Sequence, residues 1–150
     1  EAQKRTEGEL HSLTLVVKDL QRQVGEISHS VRFDLENQAY KSLPRLLERD
    51  FGITVKERLI RRFIKNKKGE SLEINIIGKG EKDGKEINII GEAKTNLSLR
   101  HIEDFLDRLK DIREVIDGEI LPIMVTHMTE PEVEEYALKK GIKVYYSYEF

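Results

Sequence analysis

The hexapeptide EINIIG occurs twice, at residues 73–78 and 86–91, on either side of a polar stretch that contains Asp83-Gly84. Few folds accommodate that arrangement. Each copy is a short Ile-rich run of the kind found in buried strands. Asp-Gly is a strong signal for a tight hairpin turn. We therefore expect strands at 72–78 and 86–94, joined as a hairpin through 79–85. Nothing else in the chain recurs, so the repeat reads as matched hairpin chemistry and not as a repeat architecture.

The flanking segments extend this into a layered domain. Leu99, Ile102, Phe105, Leu106, Leu109, Ile112 and Ile116 form one apolar stripe at helical spacing, with Ser98 as N-cap. Residues 119–126 (EILPIMVT) read as a buried strand. Thr129 and Glu132 read as a capping box around Pro131, opening a helix that runs to Lys140 and ends at Gly141. Residues 142–150 close the chain as a strand. Upstream, residues 53–66 fit both a helix and a strand carrying Val55, Leu59 and Phe63 on one face. Their β-branched content, and the hairpin's need of a neighbour, favour the strand. Residues 33–50 form a helix that Pro44 kinks or restarts and that Phe51-Gly52 ends. The order is αβββαβαβ, an α/β fold with a mixed sheet between helices.

Ahead of this core, Leu10, Leu13, Val17, Leu20, Val24, Ile27 and Val31 alternate in steps of three and four. Mostly β-branched residues at a and mostly Leu at d favour a parallel two-stranded coiled coil. The other reading is an amphipathic helix packed on its own domain; we favour the homodimer through residues 10–31.

Composition excludes several classes. With no cysteine there is neither a disulfide framework nor a thiolate metal site. The net charge of −2 removes a whole-protein basic field, so any nucleic-acid surface is local. No apolar run is long enough to cross a bilayer and no signal peptide is visible, which points to the cytoplasm. The chain begins with Glu, which reads as a trimmed start, and its Ile, Lys and Glu content fits a thermophile protein. His11, His29, His101 and His127 have no H-x-x-x-H spacing, and there is no P-loop, G-x-S-x-G elbow or dinucleotide fingerprint, hence no nucleotide cofactor.

The chemistry concentrates at Glu92-Ala93-Lys94, at the end of the second hairpin strand. Side chains two apart on a strand share a face, which groups Glu92 with Lys94 and Glu73 with Asn75. Such a carboxylate holds a hard divalent cation, and the lysine positions water or stabilises charge on a phosphoryl oxygen. A cross-strand ion pair is the alternative. The basic run Lys56, Arg58, Arg61, Arg62, Lys65, Lys67 and Lys68 reads either as a phosphate-binding strand or as a solvated edge strand. Arg100 lies early in the following helix, where it can reach a phosphate or pair with Asp104. Tyr145, Tyr146 and Tyr148 serve either base stacking or packing.

A first-helix acid, a polar strand followed by two apolar residues, and E-x-K after a hairpin together resemble the PD-(D/E)XK nuclease superfamily. The likeness is greatest to archaeal Holliday-junction resolvases and restriction-enzyme cores. It covers residues 33–147 in element order, with Glu92-Ala93-Lys94 and the NIIG of residues 75–78 as its literal motif. The coiled coil ahead of the core resembles a group of uncharacterised prokaryotic proteins with the same plan. The resemblance implies a coiled-coil segment at 1–32 and a nuclease-like domain at 33–150. It implies a homodimeric endonuclease that hydrolyses DNA phosphodiesters with Mg2+ or Mn2+. Glu92 becomes a metal ligand, Lys94 the catalytic lysine and Glu36 the first-helix acid, with Asp34 as a competitor. Asn75 stands where the superfamily has its metal-binding aspartate, and Glu73 is the replacement ligand. The alternatives are a weak or inactive nuclease fold that binds nucleic acid or a protein, and a coiled-coil assembly protein.

Overall fold

The structure is a computed structural model that describes residues 2–150, apart from the side chains of residues 2, 25, 27–29, 31 and 32. The chain divides into two compact units, Glu1–Phe33 and Asp34–Phe150. Helix α1 (Ala2–Phe51) supplies the first unit and the first element of the second.

In the first unit, the seam residues Leu10, Leu13, Val17, Leu20 and Val24 are all exposed, and so are Leu15 and Val16 outside the seam. Seam positions Ile27 and Val31 lie outside the described side chains. No helix among the described residues is long and apolar enough to cross a membrane.

In the second unit, α1 buries Leu35, Ala39, Leu43, Leu46 and Leu47 completely or nearly so. Their three- and four-residue spacing makes one stripe. Pro44 neither stops nor restarts this helix, which is continuous to Phe51. A proline inside a helix costs about 3 kcal/mol. Each fully buried Leu contributes about 1.5–3 kcal/mol, so the four leucines of the stripe outweigh that cost.

The sheet has the order β1-β2-β3-β4-β5, with β1 (Thr54–Lys65), β2 (Ser71–Lys82), β3 (Lys85–Leu97), β4 (Glu119–Thr129) and β5 (Lys143–Tyr146). The first three strands are antiparallel; β3, β4 and β5 are parallel. Helix α1 covers one face over Leu59, Ile76, Ile87, Ile89, Ala93, Ile123, Val125 and Tyr145. Helices α2 (Leu99–Arg113) and α3 (Pro131–Lys139) cover the other, over Ile74, Ile77, Ile90, Met124 and Val144. This is an α/β mixed sheet flanked by helices.

Several expectations are corrected. The hairpin loop is two residues, not seven: Lys82 pairs with Lys85, and Asp83 (φ +52) and Gly84 (φ +78) form a turn with both central residues left-handed. Backbone pairing continues through the polar residues because the ladder does not depend on apolar side chains. The glycine ending the second EINIIG has a packing role. A Cβ at Gly91 would lie 2.6 Å from Ile123 Cγ1 and 2.9 Å from Ile123 O.

Strand β1 does not hold Val55, Leu59 and Phe63 on one face. Register shifts between Val55 and Arg62 break the alternation, and Phe63 is exposed. Helix α2 ends at Arg113, although Ile116 N–H still bonds Ile112 O. The expected Thr129 capping box does not form. Thr129 stays in the β3–β4 ladder and donates its hydroxyl to Leu97 O, leaving Glu130 as N-cap before Pro131. The last strand stops at Tyr146, where Glu149 turns back to accept the Tyr146 N–H in a 3-10 turn, Ser147–Glu149.

Candidate active site

The site forms where β2 and β3 part. Their ladder ends at Ile76 opposite Gly91. Beyond that pair, the Asn75 side chain takes over: its Oδ1 accepts the Ala93 N–H at 3.0 Å. The alternation assumed for Glu73 and Asn75 is interrupted here. Ile60 opposes Ile77 while Arg62 opposes Ile74, so β2 carries one extra residue. As a result Ile74 and Ile77 both face α2 and α3, whereas Ile76 faces α1. The two asparagines of the repeat therefore do different work. Asn88 donates to the carbonyls of Asp117 and Glu119, holding the entry to β4.

Glu92 lies on the α2 side, two residues beyond Ile90, and is 6% exposed. Arg108 of α2 reaches it, with Nη1 3.3 Å from Glu92 Oε1. The same guanidinium nitrogen donates to Glu73 O, so one side chain ties both arms of the fork. Burial pushes the Glu92 carboxyl above its usual range. Arg108 and Lys94 pull against that rise, and the nearby charges of Asp104 and Glu73 add to it. The fork thus brings Glu92, Lys94, Glu73, Asp104 and Arg108 into one electrostatic neighbourhood.

Glu36 is brought to the other side of the fork. Fully buried on α1, it accepts from Arg61 Nε at 2.6 Å, and Tyr40 one turn on lies 3.4 Å away. Tyr40 donates to Asn75 O at 2.5 Å. Its phenol is pushed well above its usual range, by burial first and by Glu36 second. Asn75 thus touches both sides, through its main-chain oxygen toward α1 and its side chain toward β3. Asp34 is exposed on the same helix.

The cations separate into different roles. Arg61 is committed to Glu36 and Asn37. Glu36 is fully buried while the Arg61 side chain is 37% exposed, so the pair ties β1 to α1 from the solvent side. Lys56, Arg58, Arg62 and Lys65 are exposed along β1. Lys56 and Arg58 join Lys41 in lining a 460 Å³ cleft between α1 and β1. Arg100 lines a separate cleft with Ser98 and Glu130. Tyr145 is a packing residue, fully buried and donating to Asp50, while Tyr146 stacks on the exposed Tyr148. His127 meets Ser147 Oγ at 2.6 Å. His101 completes the Ser98 cap, its ring nitrogen accepting the Ser98 N–H.

Among the described residues, no three His, Asp or Glu side chains are grouped so as to hold a metal ion. A magnesium ion takes only one or two carboxylates from a protein, with water and phosphate oxygens completing its shell. The oxygen donors the fork offers are Glu92, Glu73 and the neutral Asn75 amide, with Arg108 already in contact with Glu92.

Sequence reading missed Arg108 and Tyr40. Both carried a signal: Arg108 lies one turn after Asp104 beside the apolar stripe of α2, and Tyr40 lies one turn after Glu36.

Similarity to one solved structure supports this fold. The MspJI restriction endonuclease in complex with a 27-mer oligonucleotide is similar with a TM-score of 0.56 and 10% identity, over 85% of this chain and 28% of that one. A repair endonuclease from Pyrococcus abyssi is similar with a TM-score of 0.42 and 13% identity, over 71% and 45%. The protein of unknown function AF1548 gives a TM-score of 0.48 and 23% identity, over 73% and 56%. The chain spans about half or less of the length of the proteins it resembles. No family model and no curated protein matches it. The fold is restriction-endonuclease-like.

Proposed function

We propose that this chain is a PD-(D/E)XK domain that engages DNA and hydrolyses its phosphodiesters with Glu92 and Lys94 as the reactive pair. One observation carries the reading. A carboxylate only 6% exposed shares a sheet face with a lysine, at the point where two strands part. Burying an ionisable group is costly unless it is paired, and such groups concentrate at functional sites.

In this reading Glu92 and Glu73 hold one Mg2+ or Mn2+ ion, with Asn75 as a neutral donor. When bound, the ion supplies Lewis-acid polarisation of a phosphoryl oxygen and a more acidic water. Lys94 orients the attacking water or stabilises charge on the phosphoryl oxygen. Asn75 holds the Ala93 main chain, and with it the spacing of Glu92 and Lys94. Glu36, held by Arg61, braces the fork from the α1 side. Arg58, Arg62, Lys65 and Arg100 contact phosphates, and the seam of residues 10–31, exposed at Leu10, Leu13, Val17, Leu20 and Val24, joins two copies as a homodimer, each with one site.

A second reading is favoured by Asn75 and Arg108: a nuclease fold with a weak or silent site that binds nucleic acid or a protein partner. A coiled-coil assembly protein is the third.

The test is cleavage of labelled supercoiled, linear and branched DNA with Mg2+ or Mn2+. The native chain is compared with Glu92→Ala and Asn75→Asp. Activity that Glu92→Ala abolishes supports hydrolysis. Silence of the native chain with activity in Asn75→Asp identifies a disabled site. If all three are silent while folded, the hydrolytic reading falls.

A further inference from the structure

We propose that Arg108 is an internal cation that occupies Glu92 in place of a divalent ion and thereby sets the metal affinity of the fork. The proposal deepens, and rests on, the reading of Glu92 as a metal ligand.

The geometry supports it in three ways. First, the guanidinium makes two contacts across the opening. It sits 3.3 Å from Glu92 Oε1 and donates to Glu73 O, so it bridges the arms where backbone pairing has ceased. The charge of the Glu73 carboxylate also acts on Glu92, so a cation added at Glu92 would meet the guanidinium in the same neighbourhood. Second, the pair is asymmetric. The Glu92 side chain is 8% exposed and fixed on the central strand β3, whereas the Arg108 side chain is 39% exposed on a helix surface. The arginine is the partner free to withdraw. Third, α2 provides a place for it to go. Asp104 lies one turn earlier on the same helix, and its charge already acts on Glu92. An arginine four residues after an aspartate pairs with it across one helical turn. Arg108 can therefore exchange Glu92 for Asp104 without its charge being abandoned.

Two cations drawn to one buried carboxylate repel each other, so an ion at Glu92 and the Arg108 guanidinium weaken one another there. Ion binding at Glu92 and the Arg108 contact are then competing equilibria, and removing the arginine should tighten the ion.

The experiment is calorimetric titration of the whole chain with Mn2+, with thermal scans in EDTA and in Mn2+. It compares the native protein with Arg108→Met, Arg108→Lys and the double variant Arg108→Met/Glu92→Gln. Methionine keeps much of the aliphatic stem that covers the fork. Arg108→Met is expected to bind Mn2+ at least about tenfold more tightly than the native chain. Its melting temperature should fall in EDTA and recover in Mn2+, and the double variant should lose the gain. Should Arg108→Met fail to fold by circular dichroism, Arg108→Lys decides. Lysine keeps the charge on a more strongly hydrated and more mobile head, so a smaller gain, of a few-fold, is expected.

Unchanged or weaker Mn2+ binding in the folded variant overturns the proposal, as does a gain that survives Glu92→Gln. Tighter binding without DNA cleavage leaves the role of Arg108 standing and removes the hydrolytic reading. Cleavage by the native chain with unchanged affinity in Arg108→Met does the reverse.

Discussion

Asn75→Asp exchanges a neutral amide for a carboxylate of nearly the same shape, at a site 7% exposed. The bond from the Ala93 N–H survives, since either side chain offers an oxygen at that place. It also strengthens, because a hydrogen bond to a charged acceptor is worth about 1.5–3 kcal/mol against about 1 for a neutral one. Two effects oppose it. Desolvating a carboxylate costs several kcal/mol even after relaxation. The new charge also joins an acidic neighbourhood: at an effective dielectric constant of about 20, a like charge about 6 Å away costs about 3 kcal/mol before screening. Lys94 and Arg108 in the same neighbourhood offset much of that repulsion, so the balance is a loss of about 2–4 kcal/mol in metal-free buffer. At about 2–4 °C per kcal/mol for a chain of this size, the melting temperature falls by roughly 5–15 °C. A divalent ion reverses this. Binding at one hundred times its dissociation constant returns about 2.7 kcal/mol, most of the loss. Thermal scanning in EDTA and in millimolar Mn2+ measures both halves. If Asn75→Asp is as stable as the native chain in EDTA, the fork is not electrostatically crowded. If the loss persists in Mn2+, Asn75, Glu73 and Glu92 are not a donor set.

Three further outcomes are expected. Gly91→Ala should destabilise the protein by about 1–3 kcal/mol in urea titration, because its Cβ meets both the side chain and the main chain of Ile123, and backbone cannot step aside; a loss below about 0.5 kcal/mol refutes the close approach. Leu20→Asp, on the exposed seam, should abolish self-association in sedimentation equilibrium while near-native circular dichroism persists; a native chain that is already monomeric at tens of micromolar refutes the dimer. Tyr145→Phe should alter acid unfolding. The Asp50 carboxyl is lowered from 3.8 to about 2, by the Arg49 hydrogen bond first, with Tyr145 also contributing. Because the folded-state value is depressed, its stabilisation is complete above about pH 4 and is lost as pH falls toward 2. Removing the phenol should flatten that part of the stability profile, and an unchanged profile would show that Arg49 alone holds Asp50 down.

Much of the architecture can be read from local patterns, because the physics that sets them is local. Ile-rich runs around Asp83-Gly84 dictate a hairpin. The spacing of Ile102, Phe105, Leu109 and Ile112 dictates a one-faced helix with Ser98 capping it. Glu92 and Lys94 share a face because strands alternate. The expectation of a seam over residues 10–31 likewise rests on periodicity alone.

Tertiary structure decided the rest, since it concerns which groups meet across elements. The two EINIIG copies are identical in sequence, yet one asparagine caps the fork and the other anchors the entry to β4. What separates them is an extra residue in β2, visible only against the register of β1. Thr129 reads as a helix cap by spacing, but its hydroxyl is drawn to Leu97 because parallel pairing carries it there. Arg61 and Arg108 read alike as surface cations. One holds Glu36 on the α1 side and the other Glu92 on the α2 side, 25 and 16 residues from their partners in sequence. Charge pairing over such separations has no periodic signature. It exists only once α1 and the sheet have placed Glu36 and Glu92 out of reach of water, where each requires a cation.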